Sequence, residues 1–344
     1  MKMTIKEIAK LAGVSRATVS KIINNYDDVG EQTKKRVKKI MEQYNYRPSY
    51  SAKTLATNET MVIGVIYAGK VNADFNHHFF VEVVNMFKKT IGQMGYDLLF
   101  FSNEQFHKEN EDYLARCLHY NVDGCIIISG GDVEPTVYEL DKSEIPCVGV
   151  DLELFGNNSS YIMSDNYKII SEGIQHLKRL GHEQIAYIGG EDSSQVARLR
   201  EQYFKQIITE RNLTTRTDWV KKGDFFEESG YVRMNEILHL KEHPKAIFAG
   251  SDLMALGIMR AIREHGLNVE DYSIIGVDDI HAAQYVDPPL TTMRQNKEKI
   301  GELAATMLQQ LISDQQVERK VFVDPELVVR QSCGAAKFVS NEKK

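Results

Sequence analysis

The 344-residue sequence has only four cysteines, Cys117, Cys125, Cys147 and Cys333, and no two of them stand in a CxxC pair. That spacing speaks against a zinc knuckle, a redox motif or a disulfide framework, and the expectation is reduced thiols in apolar surroundings. No apolar stretch approaches the length needed to span a bilayer, so no membrane partner is expected. Met1-Lys2-Met3-Thr4 leads straight into a helical motif without a signal-like apolar region, which gives a cytoplasmic expectation. Neither Gly130-Gly131 nor Gly189-Gly190 belongs to a phosphate-cradling glycine pattern, and no Gly-x-Ser-x-Gly elbow occurs. An enzyme reading therefore has no residues to stand on, and no cofactor is implied. His239-Leu240-Lys241-Glu242-His243 spells a zinc-peptidase signature, but Pro244 follows at once and no third ligand is identifiable, so no metal is expected.

What is present begins at Thr4. Thr4 stands three residues before Glu7 as a capping box, and Ile5, Ile8, Ala9 and Ala12 recur at helical spacing. Gly13 then falls where a tight corner needs a left-handed backbone, and Ser15 is placed to cap a second helix with Val19 and Ile22 inward. In a helix-turn-helix the second helix enters the DNA major groove. Arg16 suits a guanine edge, Ala17 a thymine methyl, and Lys21 another base or a phosphate. Thr18, Ser20 and Asn24 read as phosphate or sugar contacts, and a third helix is expected around Val37, Ile40, Met41 and Tyr44.

Charge divides the chain in two. The first sixty residues carry 12 Lys and Arg against 6 Asp and Glu, a balance of +6; with −6 for the whole chain, the remainder carries −12. A basic head on an acidic body suits DNA binding through counterion release. Residues 48–60 are too polar to bury and too short for a stable helix alone, so they read as a hinge or linker between a head at 1–47 and a body at 61–333, with a polar tail at 334–344.

From residue 62 short apolar strands alternate with helical stretches. Strands are expected at 62–67, 97–101, 124–129, 147–150, 184–189, 246–250 and 273–277, and helices at 79–94, 167–180 and 253–265, among others. The fold class is an all-α head plus an α/β body of two doubly wound lobes, with a ligand cleft beyond the strands' carboxyl ends.

Tyr44-Asn45-Tyr46-Arg47-Pro48 followed by Ala52-Lys53-Thr54-Leu55 completes a pattern that resembles the lactose/galactose repressor (LacI/GalR) family. Segments similar to family signatures recur at 180–186, 251–257, 275–280 and 288–295, so the likeness covers nearly the whole chain. It implies a periplasmic-binding-protein-like body, a homodimer on a pseudo-palindromic operator, and a hinge helix in which Leu55 wedges into the minor groove beside Ala52 and Lys53. It adds Thr4, Ser15, Thr33 and Tyr46 to the DNA-binding candidates. In the body it points to Phe79, Phe80, Asp151, Arg200, Phe225, Ser251 and Asp278 as effector contacts, an assignment that aromatic cover and charge-assisted hydrogen bonds make chemically sensible. Taken singly, the phenylalanines read as core, Arg200 as a surface ion pair and the aspartates as helix caps. The family implies release by a sugar as the first expectation, with purine or nucleoside corepression and a protein coeffector open beside it, and three lobe crossings near residues 162, 293 and 323; the alternative of another class is a cytoplasmic small-molecule-binding module acting without DNA, against which the basic head speaks. The sequence departs from the family at Gly30, Lys53, Tyr203 and His77-His78.

Overall fold

The computed structural model describes residues 3–23, 26–46, 59–69, 77–101 and 112–334. The expectations on Asn24, Ala52, Lys53 and Leu55, and on the tail beyond Gly334, lie outside the described residues. The chain divides into two compact units, Met1–Met61 and Val62–Lys344.

The first unit holds α1 (Ile5–Ala12), α2 (Arg16–Ile23) and α3 (Glu31–Gln43). Thr4 and Glu7 close the capping box: the Glu7 amide donates to Thr4 Oγ1 at 3.4 Å and the Thr4 amide to the Glu7 carboxylate at 2.8 Å. Gly13, at φ +64°, turns the chain between α1 and α2. A side chain there would sit in the left-handed region at a cost of about 1 kcal/mol. Ser15 caps α2 through the Thr18 amide at 3.0 Å. Ile8, Ala9, Ala12, Val19, Ile22 and Val37 form the small core, with Ile40, Met41 and Tyr46 packed on it.

The second unit carries two six-stranded sheets. Its first lobe contains β1 (Val62–Ala68), α4 (His78–Gln93), β2 (Asp97–Phe100), α5 (Tyr113–Tyr120), β3 (Gly124–Ser129), α6 (Pro135–Asp141), β4 (Cys147–Val150) and β5 (Ser159–Ser164). The chain crosses at Asp165 into α7 (Asn166–Arg179), β6 (Ile185–Gly189), α8 (Gln195–Glu210), β7 (Val220–Lys222), α9 (Glu227–Leu238), β8 (Ala246–Ala249), α10 (Asp252–Glu264), β9 (Ser273–Asp278) and β10 (Thr291–Arg294). It returns at residues 295–296 to α11 (Lys297–Ile312) and β11 (Lys320–Val323), then crosses a third time to β12 (Glu326–Val328).

Among the described residues all strand pairings are parallel except β10 with β12. Near-continuous apolar strands such as Gly124–Ser129, buried along their whole length, are what a sheet covered by helices on both faces requires. Against the first sheet α11 lies close to α4: a Cβ on Gly301 would come within 2.4 Å of the Val83 carbonyl oxygen, so only glycine permits the approach.

Five strands go beyond those expected. β5 and β10 are buried but rich in Ser and Thr, and β7, β11 and β12 are three or four residues long, so none shows an apolar run. All four cysteines are free and buried. Cys117 and Cys125 lie Sγ to Sγ at 3.3 Å, and their mutual hydrogen bond together with burial pushes the Cys117 thiol far up. The helix before the zinc-like sequence, α9, ends at Leu238. His239 Nδ1 lies 2.6 Å from the Asn235 carbonyl oxygen, while His243 stacks on Tyr272, so the two histidines do not share a helix face.

Candidate functional site

Six of the seven body candidates line one cavity between the lobes: Phe79 and Phe80 from the first turn of α4, Asp151 after β4, Arg200 from α8, Phe225 after β7, and Asp278 at the end of β9. The space between atoms, its mouth included, is about 410 Å³. The structure adds His77, Ser194, Val196 and Gln295 to the lining.

Arg200 is 3% exposed and its guanidinium is held on three sides. Nε donates to Asn166 Oδ1 at 2.7 Å, one terminal nitrogen to the Gly250 carbonyl at 3.0 Å, and the other to Gln295 Oε1 at 3.3 Å. Gln295 in turn donates to the Asp278 carboxylate at 2.6 Å. A buried cation held by neutral acceptors, with a carboxylate one residue further on, is a fixed donor and acceptor array rather than a closed ion pair. Burial lifts the Asp151 carboxyl to about 7; the Arg200 charge pulls it back and Asp278 raises it further.

Backbone strain gathers here. Asp151, Phe225, Asp278 and Asp279 have φ of 54°, 71°, 118° and 53°. Each such residue costs on the order of 1–3 kcal/mol, and such costs cluster where ligand contacts must be aimed. Ser251 is the candidate that does not line the cavity. Its hydroxyl donates to the Phe225 carbonyl at 2.7 Å and accepts the Met254 amide at 3.1 Å, so it caps α10 and holds Phe225 in its strained turn. Asp252, fully buried, receives Thr292 Oγ1 at 2.5 Å and the Ile280 amide at 2.8 Å; burial, with Asp278 nearby, raises its carboxyl well above the usual range.

His77 precedes α4 and lies against Phe80, with ring centroids 4.8 Å apart, and edge-on to Phe226 of the other lobe at 5.9 Å. Its Nδ1 is buried without a hydrogen-bond partner, and burial draws its pKa down. Tyr203 is not among the lining residues; it packs edge-on against Tyr167.

On the head, Arg16, Ala17 and Lys21 are exposed along α2. Lys21 pairs with Asp28 in the free protein. The Thr4 hydroxyl is taken up by Glu7, and the Ser15 and Thr18 hydroxyls contact each other at 2.9 Å. Ser20 and Thr33 are half-buried. Tyr46 is half-buried on the small core, which raises its phenol.

Residues 4–49 match the family described as bacterial regulatory proteins, lacI family, and residues 174–333 match the periplasmic binding protein-like domain. The chain is 34% identical over 333 residues to the HTH-type transcriptional repressor PurR of Actinobacillus pleuropneumoniae serotype 5b (strain L20), covering 96% of this chain and 98% of that one. A repressor of the same name from Vibrio vulnificus (strain CMCP6) is 32% identical over 332 residues, with the same coverage. Among solved structures, the lac repressor dimer bound to operator and the anti-inducer ONPF aligns with a TM-score of 0.82 and 28% identity, over 96% of this chain and 99% of that one. The complex of the transcriptional regulator CelR with cellobiose aligns at 0.71 and 27%, over 96% and 100%.

Proposed function

The chain belongs to the lacI family of bacterial regulatory proteins, as a DNA-binding transcriptional repressor under small-molecule control and not an enzyme, and from that premise we propose that its effector is a sugar held between the lobes. The observation that carries this reading is the pairing of Arg200 and two carboxylates, Asp151 and Asp278, with the aromatic cover of Phe79, Phe80 and Phe225 around one cavity. Hydroxyl groups donate to the carboxylates and accept from Arg200, while the apolar face of a pyranose lies on an aromatic ring. The CelR complex with cellobiose, similar in fold to this chain, supports it.

The second reading is a purine effector. It is favoured by three phenylalanines around one slot and by the likeness to repressors named PurR. A melting screen with D-glucose, D-ribose, cellobiose, hypoxanthine and guanine separates the two. Stabilisation by purines alone replaces the sugar reading, and no stabilisation by any of the five removes both.

On DNA, the reading is a cytoplasmic homodimer on a pseudo-palindromic operator. Arg16 and Ala17 meet base edges, Lys21 reaches another base or a phosphate, and residues 48–60 act as the hinge that seats Leu55. Effector acts through unequal affinity for two lobe arrangements, a coupling of about 1–3 kcal/mol that must run both ways. Leu55→Ala is expected to weaken specific operator binding far more than random-DNA binding in gel shifts across a salt series; equal losses would remove the wedge.

A further inference from the structure

We propose that Lys297 is a positioning residue that ties the two walls of the cavity together across the lobes. The inference rests on the cavity being the effector site and names what sets that site's geometry. Lys297 opens α11, a helix whose Ile300, Ala304, Ala305, Met307 and Leu308 are part of the first lobe's core. Its ammonium nevertheless reaches the second lobe, donating to the carbonyl of Asp278 at 2.8 Å and of Asp279 at 3.2 Å. Back in the first lobe it pairs with Glu82 at 3.2 Å, half a turn beyond Phe80 on α4.

Lys297 is 7% exposed, so these three contacts take up its three donors away from water. The two carbonyls belong to consecutive non-glycine residues at positive φ, a turn that needs an outside hold to persist. Asp279 is gripped from the other side by Arg294 at 2.8 Å and Arg330 at 2.6 Å, which leaves Lys297 as the contact that links this turn to α4. Asp278 thus presents its carboxylate to the cavity from a backbone clamped by the lobe that carries Phe79 and Phe80.

Hydrogen exchange on the full-length protein without any small molecule tests this. Lys297→Met is expected to speed exchange about tenfold in both 77–84 and 276–282, while β3 and β8 keep their wild-type rates. Lys297→Arg, which restores the charge, brings both segments back toward wild type. Glu82→Gln removes only the exposed end of the tether and is expected to speed 77–84 by about threefold. Acceleration at one wall only in Lys297→Met, equal acceleration in the strands of both sheets, or an Arg variant as fast as the Met variant overturns the tether. None of these outcomes touches the effector reading, which falls separately if Arg200→Ala is stabilised by the active compound as strongly as the wild type.

Discussion

The first sheet runs β11-β5-β4-β3-β1-β2 and the second β12-β10-β9-β8-β6-β7, so each strand of one lobe has a counterpart in the other. Their contributions to the cavity differ. The second lobe supplies Asn166, Arg200, Gln295 and Asp278 already joined by hydrogen bonds. The first supplies His77, Phe79 and Phe80, which lie on one another, and the carboxyl of Asp151. The second wall is preset for polar recognition, with Phe225 and Val196 beside it, and the first offers the larger share of the aromatic cover. A shared scaffold therefore says where a ligand sits, and the loops after each strand say which wall orients it and which closes on it.

Breaking the polar wall should cost most. Arg200→Ala leaves Asn166, Gln295 and the Gly250 carbonyl without their donor. The effector response is expected to vanish, with affinity for the active compound down by about 100-fold or more in calorimetry and operator affinity largely kept. An unchanged dose-response curve would exclude the contact.

Asp151 tests the carboxyl that the first lobe gives the cavity among the described residues. Its folded pKa of about 7 stands above an unfolded carboxyl near 4, so the folded protein binds the proton more tightly. The stability this contributes is fully present below about pH 4 and is lost as pH rises to about 7. Asp151→Asn, neutral throughout, is expected to be more stable than wild type by on the order of 4 kcal/mol at pH 8, with the gain shrinking toward pH 4. Urea melts at pH 5 and pH 8 measure it, and an equal gain at both would mean that Asp151 does not titrate there.

Phe80→Leu probes the apolar cover. It keeps a side chain but removes the aromatic face, so affinity for the active compound is expected to fall by about tenfold, with operator binding intact. A loss matching that of Arg200→Ala would erase the distinction between the two walls.

Much of this arrangement was legible from residue patterns. The capping box, Gly13 and Ser15 specify the corner of the head locally, and the apolar runs at 62–67 and 124–129 are buried parallel strands because nothing else accommodates them. β5 escaped because Ser159, Ser160 and Ser164 are buried while looking like loop. Gln295 and Asn166 escaped for another reason. Their role is to hold Arg200, and such second contacts have no local signature, although each stands just past the end of a strand, where α/β folds place ligand groups. His77 was legible only as a departure from the family, and Ser251 as a contact, whereas its hydroxyl is spent on Phe225.

The ion pair between Lys21 and Asp28 bears on how the head is measured. To meet a phosphate, Lys21 must leave a carboxylate that already neutralises it, so it exchanges one anion for another and sheds fewer mobile cations into solution than an unpaired lysine would allow. Salt weakens both states of that side chain alike. If Lys21 is a phosphate contact, the steepness of affinity against ionic strength undercounts the backbone contacts of each head by about one, and Asp28→Asn should raise both the affinity and the slope.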